Sequence, residues 1–95
     1  MHVILHPLDN AVLQYLAEVD LLCELTLDYT NYQGKRALRR VTPLMLFMGE
    51  TEHHPAFQWL FKAFDHDKQE ERDFSVASIH SIQHNRKLIK NAKLP

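Results

Sequence analysis

Four cations fall within six residues at Lys35, Arg36, Arg39 and Arg40, with Tyr29 and Tyr32 just upstream. Guanidinium groups neutralise phosphates, and aromatic rings stack bases at about 1–3 kcal/mol per base. This grouping is therefore a candidate surface for a nucleotide or a nucleic-acid strand. The competing reading is a solvated strand face whose arginines pair with acids such as Glu24 or Asp28. A second cluster holds Glu50, Glu52, His53 and His54, followed further on by Asp65, His66 and Asp67. Imidazoles and carboxylates are zinc ligands. However, a strand of about nine residues would separate the two halves by about 30 Å, so one hairpin cannot bring them to one ion. The expectation is a histidine hydrogen-bonded within its own loop and a wet turn. A metal-dependent hydrolase is the weakest alternative.

Other chemistries are absent from the pattern. With two glycines in 95 residues, neither a phosphate-binding glycine loop nor a dinucleotide fingerprint can be written. No Ser-His-Asp spacing and no Cys-x-x-Cys occurs, so the chain is read as a non-enzyme without a cofactor. Cys23 is the sole cysteine, which excludes an intrachain disulfide and points to a buried, inert thiol. The first residues lack a basic start and a cleavage site, and no apolar run approaches the ~20 residues of a membrane span. A cytoplasmic protein without membrane contact is expected. The formal net charge of −1 excludes a chain that is basic overall, though not a local basic patch.

The elements that would position these residues follow from periodicity. The composition, 45% hydrophobic and 24% charged, suits one small domain over residues 1–95. Val3 to Leu5 reads as an edge strand or anchor, and Pro7 and Asp9 as helix-start chemistry. Ala11, Val12, Tyr15, Leu16 and Val19 then fall on one helical face. From Cys23 to Thr30 the period becomes two, a half-buried strand closed by the turn Asn31–Gly34. A second strand spans Arg36 to Phe47, where Pro43 requires an edge, a bulge or a bend. Residues 48–55 read as a polar loop. Phe57 to Phe64, apolar on both sides, reads as a central third strand carrying Trp59. A charged turn precedes a fourth strand, Arg72 to Val76. Beyond it Ile79, Ile82, Leu88 and Ile89 predict a short terminal helix running into a basic tail.

Residues 22–79 resemble a WYL domain, in a stand-alone form of phage or bacterial type. The matching segments are ELTLDYTN, RRVTP, QWLFKAFD at the Trp-Tyr-Leu signature, and RDFSVASI at the Arg-x-Phe-x-x-x-x-Ile motif. Leu60 replaces the central tyrosine, and Ser75 and Ser78 stand where many members carry arginine. The resemblance implies an α+β, mainly β fold: a small Sm- or SH3-like barrel of about five antiparallel strands over residues 22–79. Residues 1–21 would form a leader and helix, too short for a winged helix, and residues 80–95 a basic C-terminal segment. It also implies ligand sensing in transcription regulation, through a nucleotide or single-stranded nucleic acid, relayed to a DNA-associated partner. Carried over, the groove residues are Tyr29, Arg39 or Arg40, Trp59 and Arg72, with Arg36 beside them in the basic cluster. Trp59, on the most apolar strand, reads more readily as a core anchor than as a ligand platform, and Arg72 reads equally as a structural ion pair. The competing function is a protein-interaction module, pairing an open strand edge with a partner or with itself as a homodimer.

Overall fold

A computed structural model of the chain describes residues 10–20 and 23–91. Helix α1 covers Ala11–Glu18. Asn10 caps it, its Oδ1 accepting the Leu13 N–H at 3.0 Å. The expected contributions of Val3–Leu5, Pro7 and Asp9 lie outside the described residues. Spacings of three and four put Val12, Leu13 and Leu16 on one face, which is buried.

Six strands follow: β1 Leu25–Thr30, β2 Arg36–Thr51, β3 His54–Asp65, β4 Glu70–Ser75, β5 Ile79–His84 and β6 Lys87–Lys90. They form one antiparallel sheet in the order β4-β3-β2-β1-β5-β6. The class is α+β and mainly β, as expected, but with six strands among the described residues in place of about five. No described helix is long and apolar enough to cross a membrane.

The period-two pattern of β1 buries Leu25, Leu27 and Tyr29 and leaves Thr26, Asp28 and Thr30 half-buried. Between β1 and β2, Asn31 Oδ1 accepts the N–H groups of Gln33 and Lys35, each at 2.9 Å. Gly34 takes φ +84°, a backbone region that glycine enters without steric cost. Pro43 produces a bulge, since the pairing with β3 slips between Pro43 and Met45 and leaves Leu44 out of register.

Two expectations fail. The polar loop over 48–55 is instead the tip of a long β2–β3 hairpin, where Met48 pairs with Trp59, Gly49 with Gln58 and Thr51 with His54. Ladder hydrogen bonds need only backbone groups, so polar side chains do not end a strand whose surface faces water. The predicted C-terminal helix is the β5–β6 hairpin. Ile79 pairs with Tyr29 and Ile82 with Leu27, across a register shift in β1–β5. That irregularity sets two residues of β1 against three of β5, so an interval of three lands on one face of a sheet and mimics a helix. Asn85 makes the reversal with φ +56°, which asparagine tolerates better than most residues.

The core forms where α1 covers the sheet. Val12, Leu13 and Leu16 join Leu25, Leu27, Val41, Phe61, Phe74, Val76, Ile79 and Ile82. Tyr15 Oη meets His84 Nδ1 in a hydrogen bond that ties the helix to β5. Cys23 is half-buried rather than buried, and its thiol donates to the Asp20 carbonyl at 2.9 Å. Burial first, then the Asp20 charge, pushes that thiol pKa up, which keeps it protonated.

Candidate ligand cleft

Strand alternation divides the arginine cluster. Arg39 lies opposite Leu27, on the core side of the sheet, whereas Arg36 and Arg40 lie opposite Thr30 and Thr26 on the outer side. On that outer side Arg36 grips Asp28 with two hydrogen bonds of 2.9 Å. Arg40 donates to Asp67 at 2.9 Å and has Glu24 at 3.8 Å. The Arg36 interaction, mainly through its hydrogen bonds, lowers the Asp28 pKa from 3.8.

Arg39 is held differently. Its Nη1 reaches Asp65 Oδ2 at 3.1 Å, and Asp65 is fully buried at 0% exposure. The other carboxylate oxygen accepts the N–H groups of Asp67 and Lys68, so Asp65 also builds the β3–β4 turn. Arg72 lies opposite Ala63, again on the core side, and donates to Glu70.

These core-side positions meet at the end of the sheet. A cleft of about 330 Å³ is lined there by Tyr29, Arg39 and Arg72, with Asn31 and Tyr32 from the first turn. Residues Thr51 to His54 at the β2–β3 tip and Glu70 to Phe74 in β4 supply the remaining walls. Tyr29 is anchored: its Oη accepts the Ser75 N–H at 2.9 Å, and its ring packs edge-on against Phe74 at 4.9 Å. Burial pushes its phenol above 10, partly offset by the Ser75 hydrogen bond and the charges of Arg39 and Arg72. The tip folds over the cleft through two contacts. His53 stacks on Tyr32 at 4.1 Å with the rings 14° apart, and His54 Nε2 donates to the Asp73 carbonyl at 3.1 Å. His54 therefore bonds across to β4, not within its own loop as the sequence predicts.

Of the six residues read from the sequence, the cleft gathers Tyr29, Arg39 and Arg72. Arg36 and Arg40 lie on the opposite side of β2, and Trp59 packs half-buried against the core outside the lining. The polar walls of the cleft at Glu52, His53 and His54 are singled out by sequence only within the metal-like cluster with Glu50, not as contacts for a nucleotide. Among the described residues, no group of three or more His, Cys, Asp or Glu is placed to hold a metal ion. His66 is engaged elsewhere, with Thr42 Oγ1 at 2.8 Å.

The lining is mixed in charge. Two guanidiniums share it with the carboxylates of Glu52 and Glu70, whereas strand alternation turns the Glu71 and Asp73 side chains, opposite Phe64 and Lys62, to the outer side. Glu70 is taken by Arg72, and Asp73 Oδ1 has Lys62 Nζ at 3.2 Å. Among the described residues, Glu52 and Glu71 have no ion-pair partner. The chain is similar to part of proteasome accessory factor B/C (PafBC) of Arthrobacter aurescens. The two superpose with a TM-score of 0.55 at 27% sequence identity, over 81% of this chain and 11% of that one. This chain thus spans about a tenth of that protein's length. No family model matches the chain, and no curated protein does.

Proposed function

We propose that this chain is a WYL-like regulatory module, its curved sheet an Sm-type barrel, that binds a nucleotide or a nucleic-acid strand in the cleft at Tyr29, Arg39 and Arg72 and relays that to a DNA-associated partner without catalysing a reaction. The resemblance of residues 22–79 to WYL domains and the similarity of the chain to part of PafBC support it. The observation that carries it is the convergence of these three residues, from three different strands, on one concave site walled by aromatic rings. Concave sites with a few converging polar groups are where small ligands bind. A guanidinium has five N–H donors, so Arg72 keeps donors for an anion after bonding Glu70.

Titration of nucleotides and short single-stranded oligonucleotides at low salt tests the proposal. Arg72→Ala should abolish or strongly weaken binding, while Arg36→Ala and Arg40→Ala, on the outer side, should leave it intact. Equal loss from all three variants would point to a diffuse surface charge effect, and no binding by any of these ligands would remove the reading.

A second reading rests on a separate observation. Leu44, Met45 and Phe57 are exposed on the β2–β3 hairpin, at 39%, 48% and 66%. Among the described residues, the distal half of that hairpin pairs only with itself, because the pairing with β1 stops at Val41 and that with β4 at Leu60. Open ladder edges beside exposed apolar side chains suit strand addition by a partner or by a second copy. A monomeric mass in solution, with no change on Phe57→Ser, would exclude self-association.

A further inference from the structure

The cleft's charge and size set limits on its ligand. A strand of nucleic acid adds one negative charge per nucleotide. The carboxylates of Glu52 and Glu70 line a cleft of about 330 Å³, with the buried Asp65 beside Arg39, within the ~10 Å over which charges act at 0.1 M salt. Both guanidiniums already bond a carboxylate, Arg39 to Asp65 and Arg72 to Glu70. One phosphate can share the remaining Arg72 donors, but further phosphates would meet acids. The volume also sits at the lower end of the ~300–1,000 Å³ typical of small-molecule sites.

The unpaired carboxylate has a complementary use. Glu52 on the β2–β3 tip presents acceptor oxygens with no ion-pair partner among the described residues. Carboxylates read base edges by accepting from N–H groups. Guanine offers two adjacent donors, N1–H and the 2-amino group, that match the two oxygens of one carboxylate. Uracil offers one donor between two carbonyl oxygens, which a carboxylate repels. The stacked Tyr32–His53 pair supplies a flat wall for a planar ring.

We infer that the cleft takes a single nucleotide whose base edge donates hydrogen bonds, guanosine monophosphate fitting best, in preference to a nucleic-acid strand. This rests on the nucleotide-binding reading of the cleft and narrows it. The phosphate lies on Arg72, and Glu52 reads the base.

The test compares guanosine, inosine and uridine monophosphates with a short single-stranded oligonucleotide by calorimetric titration on the intact chain. Inosine monophosphate lacks only the 2-amino group, so guanosine monophosphate should bind about tenfold tighter. The variant Glu52→Gln should level those two ligands, with circular dichroism confirming the fold. The salt slope gives an independent readout, since a monophosphate releases few counterions and a strand many. Equal affinity for the guanosine and inosine compounds in the wild type, or tighter and steeply salt-dependent binding of the oligonucleotide, overturns the inference while leaving nucleic-acid sensing standing. Failure of every ligand to bind removes the nucleotide reading itself.

Discussion

Replacing Arg39 with alanine leaves the Asp65 carboxylate fully buried, with two backbone N–H donors and no cation in ion-pair contact among the described residues. Removing one partner of a buried pair costs about 3–5 kcal/mol, because the remaining charge is uncompensated. A chain of 95 residues has a total stability of roughly 5–14 kcal/mol at the usual 0.05–0.15 kcal/mol per residue. The variant therefore loses between a fifth and nearly all of its stability, and its Tm should fall by roughly 12 °C or more at ~4–8 °C per kcal/mol. Urea unfolding followed by Trp59 fluorescence measures the change. The double variant Arg39→Met/Asp65→Asn removes both charges while keeping an acceptor oxygen for Asp67 and Lys68, and should recover most of the loss. A single-variant cost under about 1 kcal/mol, or a double variant as unstable as the single, would refute the role assigned to the pair. The outcome also decides how Arg39 can be used, since a variant that unfolds says nothing about ligand contacts.

Three further expectations follow from named contacts. Tyr29→Phe leaves the Ser75 N–H without its acceptor and should cost about 1–3 kcal/mol in denaturant unfolding. Asn10→Ala removes the cap of α1 and should cost about 0.5–2 kcal/mol, with helical ellipticity falling as well. The Asp28 pKa is held down by Arg36, so its contribution is fully present above the unfolded aspartate value of 3.8 and is lost as pH falls through the lower folded value. Melting temperatures measured across the acid range should therefore fall less steeply in Arg36→Ala than in the wild type, whereas equal slopes would show the pair to be energetically silent.

How much of this was written in the sequence depends on which force dominates each segment. Helix α1 and strand β1 are legible because their apolar spacing and their burial coincide. Pro43 announces its bulge because a missing N–H is a property of the residue alone. The C-terminal hairpin is hidden, since a register irregularity placed Ile79 and Ile82 on one face at an interval that otherwise signifies a helix. The long β2–β3 tip is hidden for another reason: backbone pairing holds polar residues such as Thr51 and His54 in strands. In the cleft, Tyr29, Arg39 and Arg72 follow from the aromatic-and-arginine pattern and the family resemblance. The division of Arg39 from Arg36 and Arg40 follows from strand alternation once the register is known. Glu52 and His53 reach the cleft only because the hairpin curves back over β4 and the first turn, a long-range outcome that local spacing does not encode.

The central claim is that ligand binds where Tyr29, Arg39 and Arg72 converge, and amide chemical-shift mapping with guanosine monophosphate tests it most directly. Shifts concentrated at Tyr29, Tyr32, His53 and residues 70–74, with Arg36, Arg40 and the α1 face undisturbed, are the predicted result. Perturbation centred on the outer face of β2, or spread evenly over the sheet, would contradict it.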